Sequence, residues 1–103
     1  MDDQRINEGV VSAAIKGDRE ALSLLWDDSR RWVAAIVLAY KPREADLEDL
    51  LQQIAMQLCR KISTLDDPRA FRGWLRTMAI NLARAEGRKT TRRKRSMLRL
   101  VGM

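Results

Sequence analysis

The stretch from Asp18 to Pro42 admits one local structure. Ala21, Leu22, Leu25, Trp26, Ser29, Trp32, Val33, Ile36, Val37 and Tyr40 recur at three- and four-residue steps, which lines them along one face of a helix about five turns long. Asp18 can accept the unpaired N–H groups of the helix start, and Glu20 complements its positive end. Pro42 ends it, because proline lacks an N–H and disfavours helical geometry in the preceding Lys41. The rest of the chain offers no competing pattern. It contains no Asn-Gly or Asp-Gly hairpin signal, no alternating β-branched run and no internal repeat. The fold class is therefore all-α: a compact bundle of three main helices and a short fourth.

The short helix spans about Gly9 to Lys16, with Val10, Val11, Ala14 and Ile15 apolar and Gly17 placed to stop it. A third helix runs from about Asp46 to Ile62 or Ser63, with Leu47, Leu50, Leu51, Ile54, Leu58 and Ile62 as its buried stripe. Asp67-Pro68 opens a fourth, on which Phe71, Trp74, Leu75, Met78, Ala79 and Leu82 share an apolar face. At 100° per residue, Arg69, Arg72, Arg76 and, slightly rotated, Arg84 fall opposite that face. Gly73 inside this helix costs about 1 kcal/mol relative to alanine, so close packing or backbone approach is expected there. The pattern sets a domain over residues 1–95, with its core at about 10–87. The like-charged run 88–95 reads as a mobile basic arm, and 96–103 as a tail or the start of a linker, with no helix-turn-helix domain expected after it.

Composition limits the chemistry. There is no His and a single Cys among 103 residues, so the usual zinc, haem and imidazole acid-base arrangements are missing and no catalytic, metal or cofactor site is expected. Cys59, inside an apolar helical pattern, reads as a small buried hydrophobe in a reducing compartment, the cytoplasm by default. The longest apolar run, Trp32 to Tyr40, is well short of the ~20 residues a membrane span requires.

Charge is distributed unevenly. Residues 1–50 hold 7 Lys+Arg against 11 Asp+Glu, a balance of −4, whereas residues 51–103 hold 13 against 3, a balance of +10. The basic half suits a polyanion and the acidic half a basic protein surface. On the fourth helix, arginines for phosphates, the aromatics Phe71 and Trp74 and the amide Asn81 make a surface able to hold single-stranded nucleic acid. The same residues also fit a plain surface helix with arginine to water and tryptophan to the core. On the third helix, Glu48, Asp49, Gln52 and Gln53 form a polar face that either stabilises the helix start or docks a protein. Asp27, Asp28, Arg30 and Arg31 read as solvated helix surface.

Three strings occur in order: Lys16-Gly17-Asp18-Arg19-Glu20-Ala21, then Leu47-Glu48-Asp49-Leu50-Leu51-Gln52-Gln53-Ile54, then Ala70-Phe71-Arg72-Gly73-Trp74-Leu75-Arg76-Thr77-Met78-Ala79-Ile80-Asn81 with trailing arginines. Over about residues 10–95 this order and spacing resembles region two of extracytoplasmic-function (ECF) sigma factors, the promoter-specificity subunits of bacterial RNA polymerase. The resemblance implies a transcription-initiation domain that is not an enzyme. It implies that Glu48, Asp49, Gln52 and Gln53 dock on the clamp helices of the largest polymerase subunit. It further implies that the loop Ser63, Thr64, Leu65, Asp66 and Asp67, with Trp74 and Asn81, takes up a flipped base of the non-template minus-ten strand. Arg69, Arg72, Arg76, Arg84 and Arg88 would hold phosphates, and an anti-sigma factor would be a further partner. This chain departs from the family pattern at Leu65, where many relatives carry an aromatic, and at Gln53, where an acidic residue is more usual. A general basic helical nucleic-acid binder and a helical protein-interaction module are the alternatives.

Overall fold

Two of the helices start at an aspartate that accepts from their free N–H groups. The computed structural model describes residues 3–102, with side chains from residue 8 onward. Four helices, α1 (Asp3–Ile15), α2 (Arg19–Tyr40), α3 (Leu47–Lys61) and α4 (Phe71–Leu100), are joined by short links, and the last link contains two 3-10 turns, Ile62–Thr64 and Pro68–Ala70. Asp18 caps α2 by accepting from the Ala21 N–H at 3.1 Å, and Asp46 caps α3 by accepting from Glu48 and Asp49. Gly17 turns the chain out of α1 with φ of 103°, in the left-handed region that side chains disfavour. Lys41, extended ahead of Pro42, closes α2.

The core is a single cluster shared by all four helices. Val11 and Ala14 of α1, Leu25, Val33 and Val37 of α2, Leu50, Ile54 and Leu58 of α3, and Phe71, Leu75 and Ala79 of α4 are 0–2 % exposed. Each fully buried Val, Leu or Phe contributes about 1.5–3 kcal/mol of transfer free energy. The stripe on α4 steps by four residues through Phe71, Leu75, Ala79 and Ala83. Its side chains shrink along the helix, and beyond Ala83 no residue of α4 is buried.

The structure differs from the sequence reading at four places. The helix that the sequence starts at Gly9 begins at Asp3, because polar residues without apolar periodicity carry no helix signal of their own. Cys59 is exposed rather than buried, since it lies off the Leu51-Ile54-Leu58 stripe. The expected crowding at Gly73 is absent: a Cβ there would meet nothing within 4 Å. The run 88–95 is not an unstructured arm, because α4 continues through it to Leu100.

Several contacts support that continuation. Arg93 donates to Glu86 at 3.2 Å, Lys94 reaches Glu44 at 2.9 Å, and the Thr90 and Thr91 hydroxyls bond back to the carbonyls of Glu86 and Gly87. Arginine and lysine are also good helix formers whose charges extend into water. The overhang lengthens the molecule to 57 × 26 × 19 Å, and its radius of gyration of 16.4 Å exceeds the ~13 Å of a compact chain this long. Among the described residues no helix is long and apolar enough to cross a membrane. The ends of the expected domain and tail, residues 1–2 and 103, lie outside the described residues.

The open space at Gly73 sets a direct expectation. Gly73→Ala should raise unfolding stability by about 1 kcal/mol, the helix-propensity gain with no steric cost, as read from the urea midpoint at unchanged m-value. A loss of stability would show that the backbone needs glycine there.

Candidate functional site

An open groove of about 1060 Å³ runs between α3, the link 62–70 and α4. Of the residues singled out by sequence, Leu65, Arg69, Trp74, Asn81 and Arg88 line it together. Trp74, Asn81 and Arg88 are successive at seven-residue spacing, close to two helical turns, so one flank of α4 carries all three. The two aromatics of this helix divide their work. Phe71 is 2 % exposed and belongs to the core. Trp74 packs its ring on Phe71 with centroids 6.1 Å apart and an interplanar angle of 42°, yet stays half-buried and forms part of the groove wall.

The remaining loop residues do not converge there. Ser63 lines a separate groove of about 640 Å³ between α1, α2 and α3, beside Trp26 and Cys59. The Thr64 hydroxyl donates to the Lys61 carbonyl at 2.6 Å, closing the end of α3. Asp66 is exposed. Asp67 accepts the Arg69 N–H at 3.0 Å and its guanidinium Nε at 3.3 Å. The backbone hydrogen bond from Arg69, followed by that from its side chain, holds the Asp67 carboxyl below the usual range; the same pairing raises Arg69. Asp67 therefore caps the 3-10 turn and occupies a cation that faces the groove.

The arginines do not form the single stripe that the helical wheel places opposite the apolar face. Arg69 sits in the 3-10 turn, where 100° spacing does not apply, and with Arg88 it faces the groove. Arg72 stacks on Trp32 of α2 with its guanidinium carbon 4.5 Å from the ring centroid, and Arg84 lies 5.1 Å over Tyr40. The aromatic edges of α2 thus hold two arginines on the other flank of α4. Arg76 is exposed one turn beyond Arg72.

The polar face of α3 also divides. Glu48 is engaged by Arg30 of α2 through two bonds at 2.6 and 2.8 Å. Asp49, Gln52 and Gln53 are exposed, and Met56, half exposed, continues their face by one turn. Gln57, on the flank toward α4, lines the groove with Lys61. Sequence reading missed both; the available signal was a polar pair four residues apart beside the apolar stripe. Trp32 and Tyr40 were read as apolar face and act as platforms for arginine. Among the described residues no cluster of three or more metal-ligating side chains occurs.

Against known families, residues 25–93 match the family model for sigma-70 region 2. The chain is 30% identical over 93 residues to the ECF RNA polymerase sigma-E factor of Escherichia coli, covering 86% of this chain and 48% of that protein. The corresponding proteins of Salmonella typhimurium (30% identical, 86% and 48% covered) and Haemophilus influenzae (29%, 86% and 49%) are similar in the same way. The chain thus spans about half the length of the curated relatives it matches. No solved structure matches it.

The Asp67–Arg69 pairing has a readable pH signature. The Asp67 carboxyl should titrate below the ordinary ~3.9 in a carbon-detected NMR titration, and Arg69→Met, which keeps the backbone N–H donor, should return it only part of the way. Because the folded-state pKa is lowered, the stabilisation is present above the unfolded value and disappears as pH falls through the folded one. The stability gap between wild type and Asp67→Asn should accordingly narrow on acidification below about pH 4. An Asp67 that titrates at the ordinary value would remove the pairing.

Proposed function

Because the chain belongs to the sigma-70 region 2 family, we propose that it is a transcription-initiation domain that binds RNA polymerase core and captures melted promoter DNA. The observation that carries the reading is the convergence of Leu65, Arg69, Trp74, Asn81 and Arg88 on one groove between α3 and α4. An unstacked base needs an aromatic or apolar wall, an amide for its edge and cations for the flanking phosphates, and this groove supplies each. The non-template strand of the minus-ten element would lie along it, with Asn81 reading the base and Arg69 and Arg88 holding phosphates. Arg72, Arg76 and Arg84 would meet phosphates on the other flank of α4.

Melting in this scheme is a population shift. The groove binds the open strand and not the paired one, so capture draws spontaneous opening toward the open state. RNA synthesis belongs to the polymerase, and the domain itself catalyses nothing and needs no cofactor. Asp49, Gln52 and Gln53 on the outer face of α3 suit a basic helical surface, which in this family is the clamp of the largest subunit. Glu48 is spent on Arg30 and acts there by fixing α3 against α2. We assign residues 1–95 to this module and 96–103 to a tail or linker start, place its action in the cytoplasm, and expect an anti-sigma factor to compete for the same surfaces. The matched relatives are RNA polymerase sigma factors by name, which supports the reading.

Promoter-specific transcription with core polymerase, with and without a supplied minus-thirty-five-reading domain, tests the function as a whole. Binding to minus-ten-like single strands and to scrambled ones, at fixed salt and in the presence of core, tests base reading. Asn81→Ala should lose about 1–3 kcal/mol of that discrimination, roughly 5- to 150-fold. Equal affinity for both strands in the wild type would favour a general basic nucleic-acid binder instead. Asp49→Ala with Gln52→Ala should abolish capture by the clamp helices while changing stability by less than about 0.5 kcal/mol, as for ordinary surface substitutions. Retained capture would remove α3 as the docking face.

A further inference from the structure

The side-chain oxygen of Gln57 is buried without a hydrogen-bond partner among the described residues. Buried polar atoms are almost always paired, so an orphan asks for an explanation. A leucine or methionine would fill this position on α3 at no such cost. The side chain is half-buried and lines the groove from the α3 wall, across from Trp74 and Asn81 on the α4 wall. To meet a ligand there, the amide must turn about its own side-chain bonds from that buried pose into the groove that the residue lines.

We propose that Gln57 is a second specificity-determining residue of the groove, accepting a hydrogen bond from the exocyclic amine of a captured base. This rests on the groove being the site of a captured base, as above. The orphan atom is an acceptor, so its missing partner is a hydrogen-bond donor, which on a nucleobase is an N–H. Phosphate oxygens are themselves acceptors and cannot satisfy it, and an apolar ligand cannot either. The exocyclic amines of adenine, cytosine and guanine can, whereas thymine has none and presents a carbonyl oxygen where adenine and cytosine present theirs. Two amides on facing walls, Gln57 and Asn81, then address one base from both sides. A site built around such a bond rejects an analogue lacking the donor, because the acceptor is left unpaired again.

Single-stranded oligonucleotides with adenine, cytosine, thymine or unsubstituted purine at the captured position provide the test. Their affinities are measured at one salt concentration for the chain bound to polymerase core. Purine is adenine without its amine, so it removes the donor and keeps the ring. In the wild type, purine in place of adenine should weaken binding roughly tenfold; in Gln57→Leu and Gln57→Met the same replacement should cost less than about twofold, with an unchanged salt slope, as expected when no phosphate contact is lost. Both variants should melt no lower than the wild type. If the wild type discriminates the amine and the variants still do, or if the wild type reads sequence through Asn81 but ignores the amine, Gln57 has no such role while the groove keeps its own. A wild type that reads no base at all overturns the groove assignment, and this proposal with it.

Discussion

Everything else in the molecule depends on how the Phe71-Leu75-Ala79-Ala83 stripe seats α4 against α2 and α3. The stripe advances by four residues per step, so it drifts around a helix that turns every 3.6 residues. The large side chains Phe71 and Leu75 anchor the first two turns in the core, and the alanines that follow present little bulk toward the neighbouring helices. This seating leaves two flanks of α4 uncovered. One, with Trp74 and Asn81, becomes the groove wall; the other brings Arg72 and Arg84 against the aromatic edges of α2. Beyond Ala83 no residue of the helix is buried, and it continues as a charged rod whose last turn exposes Met97, Leu98 and Leu100.

A chain carrying 20 Lys+Arg and 14 Asp+Glu must hold its cations without trapping them. Among the described residues the ion pairs are exposed: Arg30–Glu48, Arg69–Asp67, Arg93–Glu86 and Lys94–Glu44 all involve guanidinium or ammonium groups open to water. Pairs of this kind contribute little to stability. For the same reason they are exchangeable, and in the proposed complex a phosphate would replace Asp67 at Arg69 or Glu44 at Lys94 at small cost. Stacking on Trp32 and Tyr40 does similar work without a counter-charge. It orients Arg72 and Arg84 while leaving their donors available for anions. In the proposed complex the acidic residues would thus organise the basic surface before a polyanion arrives.

Legibility in the sequence followed the physics of each element. Helices α2 and α3 could be read nearly to the residue, because long apolar periodicity, an aspartate cap and Pro42 all point the same way. The groove was half visible: Trp74, Asn81 and Arg88 share a spacing that any helical wheel displays, whereas Gln57 acquires meaning only when α3 is placed across from α4. Arg69 defeated the wheel by lying in a 3-10 turn. The extension of α4 past Gly87 was hidden because like charge argues against burial, and this helix is stable without it. Cys59 and Gly73 were misread for a common reason: membership of a helix does not say which side faces the core.

Helix α3 serves both proposed surfaces at once, and its geometry explains how. Asp49 and Gln57 are eight residues apart, about 80° around the axis at 100° per residue, so one rigid helix can meet the polymerase on its outer face while forming a groove wall on its flank. A surface that fixes α3 therefore also fixes where the groove points. No switching element is required for the two to cooperate, because docking one face confines the other to a small volume and raises its effective concentration near the strand to be captured. The Arg30–Glu48 clasp and the buried stripe Leu50, Ile54 and Leu58 hold α3 to the bundle, so that orientation passes to α4 through packing. In the proposed complex, a weak base-reading groove on a firmly docked helix would then select promoter sequence that it would not retain alone.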